Sequence, residues 1–213
     1  MNRKLAFISY IWSKYRPLMI FAMIFIASIQ FLLIYFNSTL DVAPMIEFML
    51  SQLPPQFNEM FGENILNQIS LEGTIAFGLE HPLVITLFTF LGISITSSNI
   101  AAGSENKNLE IILSHPFKRS ELISTLYIFS IFLLILLTLS AFTGAILASY
   151  IYHEPNIVLL KKMILADVNS FLLHAFILSF SLLFSVYFKE VSKAIRWSAI
   201  IVLIFYFLNV LSA

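Results

Sequence analysis

Five long apolar runs dominate this chain: Leu18–Phe36, Leu83–Ala102, Leu122–Ile151, Met163–Phe188 and Ala194–Ala213. A helix needs about 20 residues to cross ~30 Å of hydrocarbon, and backbone groups in lipid must bond within their own segment. Each run is therefore predicted to be a membrane-spanning helix. The third run is longer than a perpendicular crossing requires, so it tilts or projects its Leu122 end beyond the bilayer. Composition agrees: 59% of residues are hydrophobic and only 11% charged, where a soluble domain has about a quarter charged. The expected fold class is all-α, a polytopic helical membrane protein forming one transmembrane domain over residues 1–213.

Basic residues set the expected orientation. Arg3, Lys4, Lys14 and Arg16 precede the first run; Lys107, Lys118 and Arg119 lie in the 103–121 loop; Lys189, Lys193 and Arg196 flank the last connection. The long 37–82 loop has no Lys or Arg, but carries Asp41, Glu47, Glu59, Glu63, Glu72 and Glu80. Only Lys161 and Lys162 oppose the pattern. The N-terminus and the 103–121 loop are thus expected in the cytoplasm, with the 37–82 loop outside, in a multi-pass protein of the cell membrane.

The first apolar run is too long for a signal-peptide core and no small-residue cleavage site follows it, so it reads as an uncleaved span. Before it, Leu5, Ile8, Trp12 and Tyr15 recur at helical spacing. Residues 1–17 are expected to form an interfacial helix with Trp12 and Tyr15 at headgroup depth. In the 37–82 loop, Met45, Ile46, Met49, Leu50 and Leu53 form an apolar stripe ending at Pro54-Pro55; Phe57, Met60, Phe61, Ile65, Leu66 and Ile69 follow. Two short amphipathic helices lying on the outer leaflet satisfy both stripes, and so does a small cap with its own core.

Catalytic chemistry is sparse. No P-loop, HExxH, GxSxG or GxGxxG sequence occurs, so nothing predicts nucleotide binding or hydrolysis by this chain. There is no Cys, hence no thiolate metal site, and the four scattered His residues suggest none of their own. Nothing points to nucleic acid. Polar side chains inside spans are costly and call for a reason. Asp167 and His174 are seven apart on the fourth run, while Thr86, Thr89 and Thr96 lie on the second. These five are the candidate translocation-path residues. The competing reading has the hydroxyls bonding to their own helix, Asp167 reaching water or Lys161-Lys162, and His174 bonding a neighbouring helix. On the third run Ser140, Gly144 and Ala148 form a small-residue row that admits another helix closely, from this chain or from a second copy.

The loop SENKNLEIILSHPFKRSEL stands apart. Asn108 is a helix N-cap and Pro116 ends the helix, which puts Leu109, Ile112 and Leu113 on one side with Glu105 and Glu110 flanking. An apolar knob with acidic shoulders suits a groove in a partner protein; a helix dipping into lipid fits the same spacing. The run AAGSENKNLEIILSHPFKRSEL resembles the cytoplasmic loop of type-two ABC exporter permeases, the membrane subunits of ATP-binding-cassette transporters. That loop reads Gly-Glu, a few charged residues, Gly-Thr-Leu-Glu, an apolar triplet, then Ser-x-Pro-x-x-Arg. Matching positions are Gly103, Glu105, Leu109, Glu110, Leu113, Ser114, Pro116 and Arg119. Upstream, LPPQFNEMFG, Ser70-Leu71-Glu72-Gly73 and His81-Pro82-Leu83 match in order. The sequence departs at Lys107-Asn108, where the family has Gly-Thr. It also shows five spans where the family usually has six; an incomplete chain is expected, the alternatives being a sixth helix that is absent or supplied by another chain.

The resemblance implies a permease subunit, an exporter, that binds no cofactor itself. ATP and magnesium would be bound by a separate ABC ATPase subunit. A second permease copy or a related permease would complete the path, with membrane lipids around it. Glu105, Leu109, Glu110, Leu113, Ser114, Pro116 and Arg119 would couple to the ATPase. The alternative is a membrane anchor or assembly protein that transports nothing and recruits a cytoplasmic partner through residues 103–121.

Overall fold

The structure is a computed structural model that describes residues 3–40, 48, 51–52, 70–106, 118–153 and 156–212. The two stripes expected in the 37–82 loop and the helix expected over 108–115 lie outside the described residues. Among the described residues the chain is all-helical, and five segments are long and apolar enough to cross a membrane: Ala6–Thr39, Leu71–Glu105, Arg119–Tyr152, Ile157–Tyr187 and Val191–Leu208.

The first helix, α1, runs unbroken from Arg3 to Thr39 with Pro17 inside it. The N-terminal amphipathic stretch and the first apolar run are thus one helix. Proline removes one backbone bond, which membrane helices tolerate when neighbours re-satisfy the freed carbonyl. The buried residues of its first half are Ile11, Tyr15 and Met19, whereas Trp12 is 36% exposed. The protected stripe therefore includes Tyr15 but turns past Trp12.

The second spanning segment is composite. Helix α2, Leu71–Glu80, opens with Ser70, whose side chain accepts a bond from the Gly73 amide at 3.0 Å. His81 then adopts an extended conformation, as a residue before proline prefers, and α3 restarts at Pro82 and runs to Thr96. A single π turn, Ser97–Ala101, leads into the short α4, Ala102–Glu105. Helix α5 is Arg119–Tyr152. At its start the Lys118 amide donates to the Glu121 carboxylate at 3.2 Å, half of a capping box. Helix α6, Ile157–Tyr187, is capped by Asn156, which accepts from the Leu159 amide at 2.8 Å. Helix α7 is Val191–Ser212.

The helices group into two compact units: Met1–Ile20 with Thr86–Leu136 and Phe171–Ala213, and Phe21–Ile85 with Leu137–Ser170. In the first, Ile11, Tyr15, Met19, Ile95, Ile100, Leu126, Phe129 and Leu133 form the core. In the second, Ile34, Ile75, Ala145, Ala148, Leu159 and Met163 do so. Lipid is as apolar as these side chains, so close packing and interhelical hydrogen bonds hold such cores together. Gly144 illustrates the packing term. A Cβ there would collide with the Ala27 backbone of α1, so the small-residue row on α5 is used within the chain.

Candidate functional site

The π turn and its surroundings bring together several polar side chains of the first unit. A π turn carries one extra residue and shifts the helix out of its regular bonding register. Thr96, Ser97, Ser98 and Asn99 supply four polar side chains there. Three of them bond back to carbonyls of the preceding turn. Thr96 Oγ1 donates to the Gly92 carbonyl at 3.0 Å, Ser97 Oγ to the Ile93 carbonyl, and Asn99 Nδ2 to the Ile95 carbonyl at 2.7 Å. The widened turn is also tied to other helices. Asn99 Nδ2 lies 3.3 Å from Tyr15 Oη on α1, and Tyr15 Oη donates to the Ser94 carbonyl at 3.4 Å. Thr96 Oγ1 and Ser181 Oγ of α6 share a buried bond of 2.7 Å.

Just beyond the π turn, Glu105 reaches the start of the last helix. Its Oε2 accepts from the Val191 amide at 3.0 Å. That amide belongs to the first turn of α7, whose N–H groups lack intrahelical acceptors, and a carboxylate there also meets the positive end of the helix dipole. Glu105 and Arg119, the two ends of the 103–121 loop that are described, are both exposed. Leu109, Glu110, Leu113, Ser114 and Pro116 lie outside the described residues.

Of the five candidate path residues, Thr86, Thr89, Thr96 and His174 belong to the first unit and Asp167 to the second. Thr86 is exposed, while Thr89 and Thr96 are buried. Thr89 donates to the Thr86 carbonyl at 3.0 Å and Thr96 bonds within α3 and to Ser181. The hydroxyls thus bond largely to their own helix. His174 is buried in the first unit with its ring 4.4 Å from that of Phe88. Asp167 belongs to the second unit and is 8% exposed. Lys162 pairs instead with Glu72 at 2.6 Å, and among the described residues no ion pair joins Asp167 to Lys161 or Lys162. In the second unit Gln30 is buried against Gly78, its Nε2 3.4 Å from the Ile75 carbonyl. Among the described residues no three His, Asp or Glu side chains gather as a metal site would require.

Three of these features escape a reading of the sequence. The polar run at 96–99 signals tolerance of hydroxyls but not a change of helical register. Glu105 is visible as an acidic shoulder of the loop, yet its bond to α7 depends on which helix lies beside it. The Glu72–Lys162 pair supplies a counter-ion for one of the two basic residues that sit against the charge pattern.

Residues 73–213, well over half of the chain, match the model of a family described as ABC-2 family transporter protein. The chain belongs to that family. It is a multi-pass membrane protein and a permease of an ABC transporter. No curated protein and no solved structure matches it. In this ABC-2 permease the matched segment begins inside α2 and includes the π turn, Glu105, Arg119, Asp167 and His174. Helix α1 precedes it, yet Tyr15 bonds to α3 and Gln30 packs on α2.

Proposed function

We propose that the chain is the transport subunit of an ABC exporter, driven by ATP hydrolysis in a separate ATPase subunit that docks on residues 103–121. The family match over residues 73–213 carries this reading, and the Gly103–Arg119 pattern supports the docking site. The N-terminus and the loop then face the cytoplasm, an orientation that the distribution of Lys and Arg favours. ATP binding and magnesium belong to the partner, and two permeases, identical or related, enclose the path.

The loop leaves the membrane at α4 and returns at α5. A push on its helix from a closing ATPase dimer therefore acts on both ends. Through Glu105 the α4 end is also bonded to the first turn of α7, so displacement of the loop would carry two helices. The π turn directly above α4 gives that motion a place to bend. Its hydrogen bonds are partly made by side chains, which can exchange partners more readily than a regular backbone ladder. Glu105 on this reading is a positioning residue that holds α7 rather than a docking contact alone.

The test is co-purification. The tagged chain, extracted in mild detergent with a co-expressed ABC ATPase encoded beside it, is expected to retain that ATPase and to alter its rate of ATP hydrolysis. Failure to retain such an ATPase, with the chain monodisperse, would remove the basis for coupled transport.

A further inference from the structure

A cleft opens between the end of α6 and the start of α7. Leu183, Phe184, Tyr187, Phe188 and Trp197 line it, and it holds about 320 Å³. That is the low end of the range for small-molecule sites, suited to one hydrocarbon chain. Its walls are apolar throughout. Phe188 and Trp197 stack with centroids 6.2 Å apart and planes 7° from parallel, and Phe184 lies 6.5 Å from the same Trp197 ring. Tyr187 is 75% exposed and Trp197 46% exposed, so the cleft is open at the surface.

Basic residues flank the Phe188–Trp197 end in sequence. Lys189 follows Phe188 and Arg196 precedes Trp197, both exposed, with Lys193 between them on α7. Among the described residues, two carboxylates near this end, Glu190 and Glu105, are engaged. Glu190 pairs with Lys193 at 2.7 Å, and Glu105 accepts from the Val191 amide. Among the described residues, neither Lys189 nor Arg196 has an acidic partner.

We infer that this cleft binds an anionic phospholipid, with one acyl chain along the aromatic wall and the phosphate between Lys189 and Arg196. The shape of the ligand matches the site end for end. Hydrocarbon meets rings of the kind that populate aromatic belts at the membrane surface, and phosphate meets a guanidinium that can bond two oxygens at once. A second protein copy would need an acidic side chain beside an apolar knob at the same depth. The inference stands on the cleft and the basic residues that flank it in sequence, and does not depend on the direction or substrate of transport.

The chain has two Trp residues, Trp12 and Trp197, so Trp12→Phe leaves a single fluorophore inside the cleft. This variant is placed in phosphatidylcholine vesicles containing equal mole fractions of either brominated phosphatidylglycerol or brominated phosphatidylcholine. Quenching of Trp197 should report about fivefold local enrichment of the anionic lipid, a factor in keeping with one basic side chain at a membrane surface. Adding Lys189→Gln and Arg196→Gln should remove the preference. Each single substitution, made separately, should weaken it. Equal quenching by the two lipids overturns the site, as does a preference that survives loss of both basic residues. Absence of quenching by either lipid would mean that protein covers the cleft, and overturns it too. Trp197→Phe reports on Trp12, which lies near Lys14 and Arg16. A preference of the same size there would reduce the effect to general attraction by basic surface, and would equally overturn it.

Discussion

Replacing Leu109 with Asp should reduce retention of the partner ATPase about 30-fold or more, the factor that truncating a hot-spot residue commonly produces. Leu109, Ile112 and Leu113 share one side of the expected loop helix, and on the docking reading that side fills an apolar groove. A carboxylate placed there has no counter-charge and must be desolvated, which costs several kcal/mol. Glu110→Lys should act differently. A rim charge mainly steers association and sets its salt dependence, so reversal should slow binding and matter less as salt rises. Both substitutions lie outside the spanning helices, so thermal unfolding of the chain itself should stay within about 0.5 kcal/mol of the parent. Unchanged ATPase retention in both variants would count against docking through this loop.

Gly144→Val should have the opposite profile, with folding lost before any question of coupling arises. A Cβ at residue 144 meets the carbonyl, carbon and Cα of Ala27. Backbone cannot swing aside as a side chain can, so α5 and α1 must separate along their contact in the second unit. Overpacking of this kind costs about 1–3 kcal/mol where side chains can yield, and more where they cannot. Separation would also loosen the neighbouring Ala145 and Ala148 contacts with Ile34 and Ile75. The expected result is a sharp fall in monodisperse protein on size exclusion and a lower unfolding midpoint. Leu147→Val on the same helix, where the side chain is 58% exposed, should change neither. Gly78→Ala should fall between them, because the added carbon meets only the Gln30 side chain, which can turn away. A monodisperse Gly144→Val protein of unchanged stability would show that the α1–α5 contact does not carry the packing ascribed to it.

The spans were legible because their signal is long and repetitive: some twenty apolar residues in hydrocarbon leave the backbone only one way to satisfy itself. Their ends were harder. Helix α6 begins at Ile157 rather than Met163, because Asn156 caps it and Lys162 within it finds Glu72. Charge that looks like loop in the sequence is tolerated in a helix once a partner or water is at hand. Likewise α2 starts at Leu71, ahead of the apolar run, under a Ser70 cap. The site was legible only in part. Hydroxyls bonding to their own helix could be anticipated from residue type, and Thr89 and Thr96 do so. The tie between Glu105 and α7 joins residues distant in sequence, and the aromatic cleft at Trp197 forms where the chain turns from α6 into α7, so no periodicity within one helix encodes either. Trp12 and Tyr15 make the same point: both are aromatic residues near a basic end, yet Tyr15 is 5% exposed and Trp12 36%, because only one of them faces α3.

The central claim is that an ATPase acts on this permease from inside the cell through residues 103–121. Because the chain contains no Cys, Glu110→Cys creates a single thiol that can be titrated from either side of a sealed vesicle with a maleimide unable to cross membranes. Labelling is expected in inverted vesicles only, and should be slowed by the bound ATPase. Labelling of residue 110 in right-side-out vesicles would place the loop where no cytoplasmic motor could reach it, and would contradict the account.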